Sequence, residues 1–162
     1  MKLITEFQLK VPPRYHDGWI DQFGKRAGRL GIRRLDAGFI TSNFIETTKL
    51  KSGETYLVKI CEILVDLTRT EGVLEFLKKE RALLVGACGT VLVAEFAKRE
   101  LPLGKRVFSF FGENASCVME NNCCLVPFVA RYSSSATSCD VGLVAPEHIK
   151  RGDCLMCFHK TA

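Results

Sequence analysis

The chain has 162 residues, of which 47% are hydrophobic and 25% are charged, and it contains eight cysteines. A domain of this size buries roughly 70% of the surface that its unfolded chain exposes, so it needs no disulfide or metal ion to fold. No apolar run reaches the ~18 residues of a membrane span, and charges interrupt the start too early for a signal peptide. We therefore disfavour the disordered, collagenous, membrane-spanning and secreted classes and expect a cytoplasmic protein with reduced thiols.

Positive charge is concentrated near the start of the chain. The net charge is +5, from 23 Lys and Arg against 18 Asp and Glu. Residues 1–34 contain eight of these bases and three of the acids, so they carry the whole excess of five. Such a segment is a candidate surface for an anionic partner, although a solvated surface that binds nothing is the alternative.

Two elements are predicted before residue 35. Polar and apolar side chains alternate over residues 2–11, which predicts a half-buried strand that ends at Pro12 and Pro13. Helical spacing over residues 16–30 predicts an amphipathic helix, with Gly31 as its C-terminal cap. The apolar residues of this helix are Trp19, Ile20, Phe23, Ala27 and Leu30.

A hairpin and a second helix are predicted next. Residues 37–47 and 54–67 are rich in β-branched and aromatic side chains, and the polar residues 49–53 between them indicate a hairpin loop. A capping-box sequence at Thr68–Glu71 marks the start of a helix predicted over residues 70–85.

The order of these elements predicts the fold class. If the apolar residues 90–96 are a buried strand, the order over residues 2–97 is β-α-β-β-α-β, which predicts a ferredoxin-like α+β sandwich. The alternative ends the second helix near Arg81, with a strand at 82–87 and a helix at 90–100. That order would give a three-layer α/β arrangement.

Short strands separated by turns are predicted after residue 100. We therefore divide the chain into a ferredoxin-like domain at residues 1–100 and a β-rich extension at residues 101–162, for which a small barrel packed on the first part is one possible form. The four β-like stretches are 105–111, 123–131, 139–145 and 153–159.

A basic edge is predicted on the first helix, as a candidate nucleic-acid-binding site. In helical projection four bases fall on one side, and a fifth follows them. Lysine and arginine supply most of the affinity of proteins for phosphate backbones. The predicted residues are Lys25, Arg26, Arg29, Arg33 and Arg34.

Glycines occupy another side of the same helix. Gly24, Gly28 and Gly31 leave nearly bare backbone there, which would allow a phosphate to approach closely. The alternative is tight packing of this side against a sheet or a helix.

The cysteines and histidines contain the candidates for other chemistry. Cys154, Cys157 and His159 resemble part of a zinc site, but side chains three apart in a strand point to opposite faces, so we expect no metal. A thiol nucleophile would need a nearby histidine, and His148 with Cys154 or Cys139 is the pair to inspect.

Two further motifs are weak. The sequence Gly86–Thr90 would form an anion site only if a helix began at Thr90. Base stacking on the sheet face would need exposed aromatic rings, and we expect the available rings to be core residues instead. These are Phe7, Phe39, Phe44 and Tyr56.

The function predicted from the sequence is non-catalytic binding of RNA or DNA through the basic edge. The first alternative is a protein-interaction or inhibitor module that binds an acidic partner surface through the same edge, or that uses Phe108–Phe111 as an apolar anchor. The second is a cysteine-dependent or nucleotide-using enzyme. We expect no cofactor and no membrane partner.

Overall fold

A computed structural model of the chain describes residues 1–44, 48–66, 71–110, 117–118, 124–132 and 138–162. These residues form a mixed α+β structure in which seven strands make one row and an eighth pairs with one of them. The strands are β1 (Lys2–Lys10), β2 (Ile32–Leu35), β3 (Thr55–Glu62), β4 (Arg106–Phe108), β5 (Cys117–Val118), β6 (Cys124–Ala130), β7 (Cys139–Val144) and β8 (Cys154–Lys160). The α-helices are α1 (Trp19–Arg26), α2 (Glu71–Lys79) and α3 (Gly86–Phe96), and 3-10 helices lie at Thr41–Asn43, Lys98–Glu100 and Pro146–His148.

The sheet combines strands from both halves of the chain. Its order is β1-β3-β8-β4-β6-β7-β2, with β5 beside β6. Neighbouring strands are antiparallel except for two parallel pairs, β4 with β8 and β2 with β7. Because β8 lies between β3 and β4, the sheet is continuous across residue 100, where the sequence predicts a domain boundary.

The two faces of the sheet bury different side chains. Met156 and Phe158 of β8 pack in the core that contains α1 and α3, whereas Leu155 and Cys157 pack in the core that contains α2. This alternation follows from the two-residue period of a strand. Helices therefore cover both faces of the sheet.

Helix α3 corrects one prediction. Its residues from Gly86 to Ala94 are all buried, and it is apolar on every side, as expected for a helix enclosed between a sheet and a second helix. The prediction of a strand at residues 90–96 is wrong, because a short continuous apolar run fits a buried helix as well as a buried strand.

The predicted hairpin is also wrong. β3 pairs with β1 and β8, and not with residues 37–44, the described part of the predicted first strand. The described part of that segment contains a 3-10 helix, and the rings of Phe39 and Phe44 pack in the core with their centroids 5.2 Å apart. Its apolar composition reflects burial of a loop, and residues 45–47 lie outside the described part of the chain.

The ferredoxin-like arrangement is not confirmed. The sheet has seven strands in its row where that fold has four, and its helices lie on both faces. At the level of single elements, β1, α1, α2, β4, β6, β7 and β8 lie within or close to their predicted ranges. Residues 68–70 of the predicted capping box lie outside the described ranges.

α1 ends at Arg26, four residues before its predicted end at Leu30. One further turn follows the helix, and the Ile32 amide then donates to the carbonyl oxygen of Ala27 at 3.0 Å. Gly31 lies between them with φ of 77°, the left-handed conformation that glycine adopts without steric cost. This is a Schellman motif, and it confirms Gly31 as the cap.

Candidate nucleic-acid interface

One end of the sheet collects basic side chains from several strands. The register places the starts of β1, β2, β4, β7 and β8 there, together with the ends of β3 and β6. We refer to this as the basic end. Its bases are Lys2, Arg29, Arg33, Lys98, Arg99, Lys105, Arg106, Arg131, Lys150 and Arg151. Its acids, within the described ranges, are Glu62, Asp66, Glu100, Asp140, Glu147 and Asp153.

The centre of the basic end is neutralised by ion pairs. Lys105 Nζ donates to the carboxylate of Glu62, which lowers the pKa of Glu62 and raises the pKa of Lys105. The Arg106 guanidinium donates to both Asp153 oxygens, with Nε–Oδ1 at 3.1 Å and Nη2–Oδ2 at 2.7 Å. The first pair joins the start of β4 to the end of β3, and the second joins it to the start of β8.

The side of the basic end next to α1 is less neutralised. Lys98 Nζ donates to the carbonyl oxygen of Leu30, so the 3-10 helix after α3 lies against the turn after α1. Arg131 Nη1 donates to the carbonyl oxygen of Arg99 at 2.8 Å. Arg29 and Arg99 are exposed, and neither has a carboxylate oxygen within 4.0 Å among the residues that the structure describes.

Arg26, a member of the predicted edge, is part of the core packing instead. Its Nη2 lies 3.0 Å from each carboxylate oxygen of Glu95, whose side chain is only 8% exposed. Trp19 Nε1 donates to the same carboxylate at 3.0 Å, and the guanidinium stacks over the Trp19 ring at 4.8 Å. This network joins α1 to α3, so the charge of Arg26 is already satisfied.

The other four predicted residues are divided between β2 and α1 with its following turn. Lys25 and Arg29 lie about one turn apart on the outer side of α1 and its following turn, and both are exposed. Arg33 lies on β2 and its Nε donates to Asp140 at 3.4 Å. Arg34, also on β2, is exposed.

The glycine side of α1 is not closely packed. An added Cβ at Gly28 would meet nothing within 4 Å, and one at Gly24 would make only an ordinary contact with Leu35 at 3.8 Å. Close packing within the described residues therefore does not account for Gly28.

Two aromatic rings flank the less neutralised side. Phe96, at the end of α3, and Tyr132, directly after Arg131, are each 50% exposed. The aromatic residues considered for stacking on the sheet face are different: Phe39, Phe44 and Tyr56 are buried, and Phe7 is partly buried against the same core. The expectation that these rings are core residues is confirmed.

Sequence reasoning missed the assembly of the basic end. The pairs Lys98-Arg99, Lys105-Arg106 and Lys150-Arg151 are far apart in the chain, and each has acids nearby. The available signal is that each pair immediately follows or precedes a helix or a strand. It becomes informative only when the strand order shows that these ends meet.

The cysteine candidates lie in unfavourable surroundings for catalysis or metal binding. The side chain of Cys154 faces the α3 core and that of Cys157 faces the α2 core, so they do not converge. Burial raises the pKa of Cys139 to about 11 and that of Cys154 to about 12, whereas a nucleophile needs a low pKa. Within the described residues, no three His, Cys, Asp or Glu side chains are grouped so that they could hold a metal ion.

The Gly86–Thr90 segment is explained by packing. α3 begins at Gly86, whose amide donates to the carbonyl oxygen of Phe110 at 3.1 Å. Thr90 is fully buried, and its hydroxyl donates to the Gly86 carbonyl oxygen at 3.3 Å. The segment therefore has no exposed amides at which a phosphate would bind.

His159 predicts a pH dependence of stability. Burial lowers its pKa, the charge of Lys59 adds to this, and its buried Nε2 has no partner among the described residues. The unfolded chain, with a histidine pKa of about 6.5, then binds the proton more readily. Neutral His159 therefore leaves the free energy of unfolding at its full value above about pH 6.5. The free energy of unfolding decreases as the pH falls from there towards the folded pKa.

We expect the free energy of unfolding in urea to decrease between about pH 7.5 and about pH 5.5 by more in the wild type than in a His159→Leu variant. His148→Gln, which changes an exposed histidine, is the control and should retain the wild-type profile. Parallel profiles for the wild type and His159→Leu would contradict the assignment.

Comparison of the chain with models of protein families, with curated proteins and with solved structures gives no match in any of the three. Among the residues that the structure describes, no helix is both long and apolar enough to cross a membrane. A functional assignment therefore depends on the geometry of the basic end.

Proposed function

We propose that the protein binds single-stranded nucleic acid at the basic end, on the side next to α1. One observation carries this proposal: two exposed cations that have no carboxylate partner among the described residues, Arg29 and Arg99, lie near two half-exposed aromatic rings, Phe96 and Tyr132. Cations that track the backbone and rings that stack on bases are the two components of single-strand binding.

The cations would bind phosphates. Arg29 and Arg99 come from separate elements that Lys98 and Arg131 hold side by side, so one strand of nucleic acid could contact both. Binding of this kind releases counterions and therefore weakens steeply as salt increases. The open backbone at Gly28 adds a place where a phosphate could approach without steric hindrance.

The rings favour a single strand over a duplex. Unpaired bases can stack on an exposed aromatic ring, whereas the bases of a duplex are already stacked on one another. Tyr132 is the better ring to test, because Phe96 also packs near Trp19, with ring centroids 6.4 Å apart.

The test is fluorescence anisotropy with labelled single-stranded RNA, single-stranded DNA and duplex DNA of about 20 nucleotides, over a range of salt concentrations. We expect Arg29→Glu/Arg99→Glu to weaken single-strand binding at least about tenfold and to flatten the slope of log affinity against log salt by about 1.4, for two lost phosphate contacts. Tyr132→Ala, which leaves the charge unchanged, should weaken binding by about fivefold or more.

The matched control is Lys10→Glu/Lys160→Glu. Both lysines are exposed at the opposite end of the sheet, and the double change alters the net charge by the same amount. Equal losses in the two double variants would mean that only total charge matters and would overturn the proposed site. Absence of wild-type binding at low salt would overturn the function, and an acidic protein surface would become the next partner to test.

A further inference from the structure

A groove runs beside the outer side of α2, away from the basic end residues described above. Its volume is about 560 Å³. Its apolar lining is Leu74, Leu77, Ala82 and Leu84, and its charged lining is Glu71, Glu75, Lys78 and Arg81. All four charged residues are exposed, and none has an ion-pair partner within 4.0 Å among the described residues.

The charges along this groove are separated by sign. Glu71 and Glu75 lie in the first half of α2, and Lys78 and Arg81 lie at or just after its end. Positions 71, 74, 75 and 78 follow helical spacing and therefore share one side of the helix. Leu74 lies between the two glutamates on that side.

Arg81 has an unusual backbone. The Ala82 amide donates to the carbonyl oxygen of Leu77 at 2.9 Å, so α2 ends in a Schellman motif as α1 does. Arg81 occupies the left-handed position with φ of 52°, where a residue with a Cβ is less favourable than glycine. A charged side chain thus lines the groove at a position where the backbone conformation is unfavourable for it.

We propose that the groove binds a second copy of the chain, with the two α2 helices antiparallel about a two-fold axis. In such an isologous contact, each residue pair occurs twice. With the axis near Phe76 and Leu77, Glu75 of each copy faces Lys78 of the other, and Glu71 lies near the other Arg81. Leu74 of each copy lies within one turn of the axis, beside the facing charges, so the charged lining of the groove is complementary to itself.

Sedimentation velocity of the full chain, from about 1 to about 100 μM, tests the proposal. The wild type should approach twice the 18.1 kDa of the monomer as concentration rises. Glu75→Lys and Lys78→Glu should each shift the association to at least about tenfold higher concentration, because each places like charges opposite one another. Circular dichroism establishes whether each variant is folded. If one variant does not fold, the other alone tests the proposal.

Charge exchange separates this arrangement from a nonspecific charge effect. The double variant Glu75→Lys/Lys78→Glu should recover association, and an equimolar mixture of the two single variants should form a heterodimer, since every facing pair is then opposite in sign. Glu100→Lys, which makes the same charge change after α3, is the control and should associate like the wild type. A monomeric wild type at all concentrations, or a dimer unaffected by the single variants, would overturn the proposal.

Discussion

Replacing Gly89 with alanine is expected to lower the free energy of unfolding by about 3 kcal/mol. An added Cβ would lie 2.5 Å from Val85 Cγ2 and 3.0 Å from Phe158 Cε2. Phe158 is fully buried on the central strand β8, so its ring cannot move without disturbing the core on which α3 packs. Because interiors are close-packed, the strain spreads to the helix and its neighbours.

The measurement is urea unfolding followed by the fluorescence of Trp19, the only tryptophan. Gly28→Ala is the matched control: its Cβ would meet nothing within 4 Å, and we expect it to be neutral or stabilising by up to about 1 kcal/mol. Combining Gly89→Ala with Val85→Ala should cost less than the sum of the single changes, because the closest contact is removed. A Gly89→Ala protein as stable as the wild type would show that α3 can shift away from β8.

Replacing Asp153 with alanine is expected to cost about 3 kcal/mol. The Asp153 side chain is 12% exposed, and it accepts from Arg106 through both oxygens and from the Lys150 amide at 2.8 Å. Removal of the carboxylate leaves the largely buried Arg106 guanidinium without its ion-pair partner. It also leaves the Lys150 amide, in the turn before β8, without its hydrogen-bond acceptor. Arg106 also stacks over the Phe108 ring at 5.2 Å, so it cannot easily move into solvent.

The same unfolding measurement on Arg106→Met/Asp153→Ala completes a double-mutant cycle. We expect the double variant to lose less than the sum of the single losses, because neither charge is then left without its partner. Additive losses would mean that the two side chains act independently, contrary to their bidentate geometry. Retained stability in Asp153→Ala would contradict the structural role of the pair.

The parts of the fold that the sequence predicts are those fixed by local pattern. Alternation over residues 2–11 locates β1, and helical spacing with Gly31 locates α1 and its cap. Four of the five strands after residue 100, β4, β6, β7 and β8, are also predicted, since polar sequences separate them. In each case the signal depends on residues within about ten positions of one another.

The pairing of strands is not a local property, and here the sequence reasoning failed. Residues 54–67 have the composition of a strand, but nothing in them shows that β1 and β8 are the neighbours of β3. Burial of Phe39 and Phe44 in a loop gives the same composition as a paired strand. The run at 90–96 fails for a related reason, since full burial removes the periodicity that distinguishes a helix from a strand.

The candidate site was predictable only in part, for the same reason. Lys25 and Arg29 are local neighbours on a helix, and their exposure agrees with the helical projection. The charge of Arg26 is neutralised by Glu95, which is 69 residues away in the chain. The approach of the Arg99 segment to the turn after α1 likewise depends on a contact between Lys98 and Leu30, which are 68 residues apart.

The central position of β8 has a consequence for synthesis of the chain on the ribosome. β8 is made after both of its neighbours, β3 and β4. Until residues 154–160 have emerged, the nascent chain holds two sheet fragments, β1-β3 and β4-β6-β7-β2, each with an unpaired edge of the kind that joins other chains. Completion of the sheet therefore waits for β8, and until then the unpaired edges of both fragments are exposed to association with other chains.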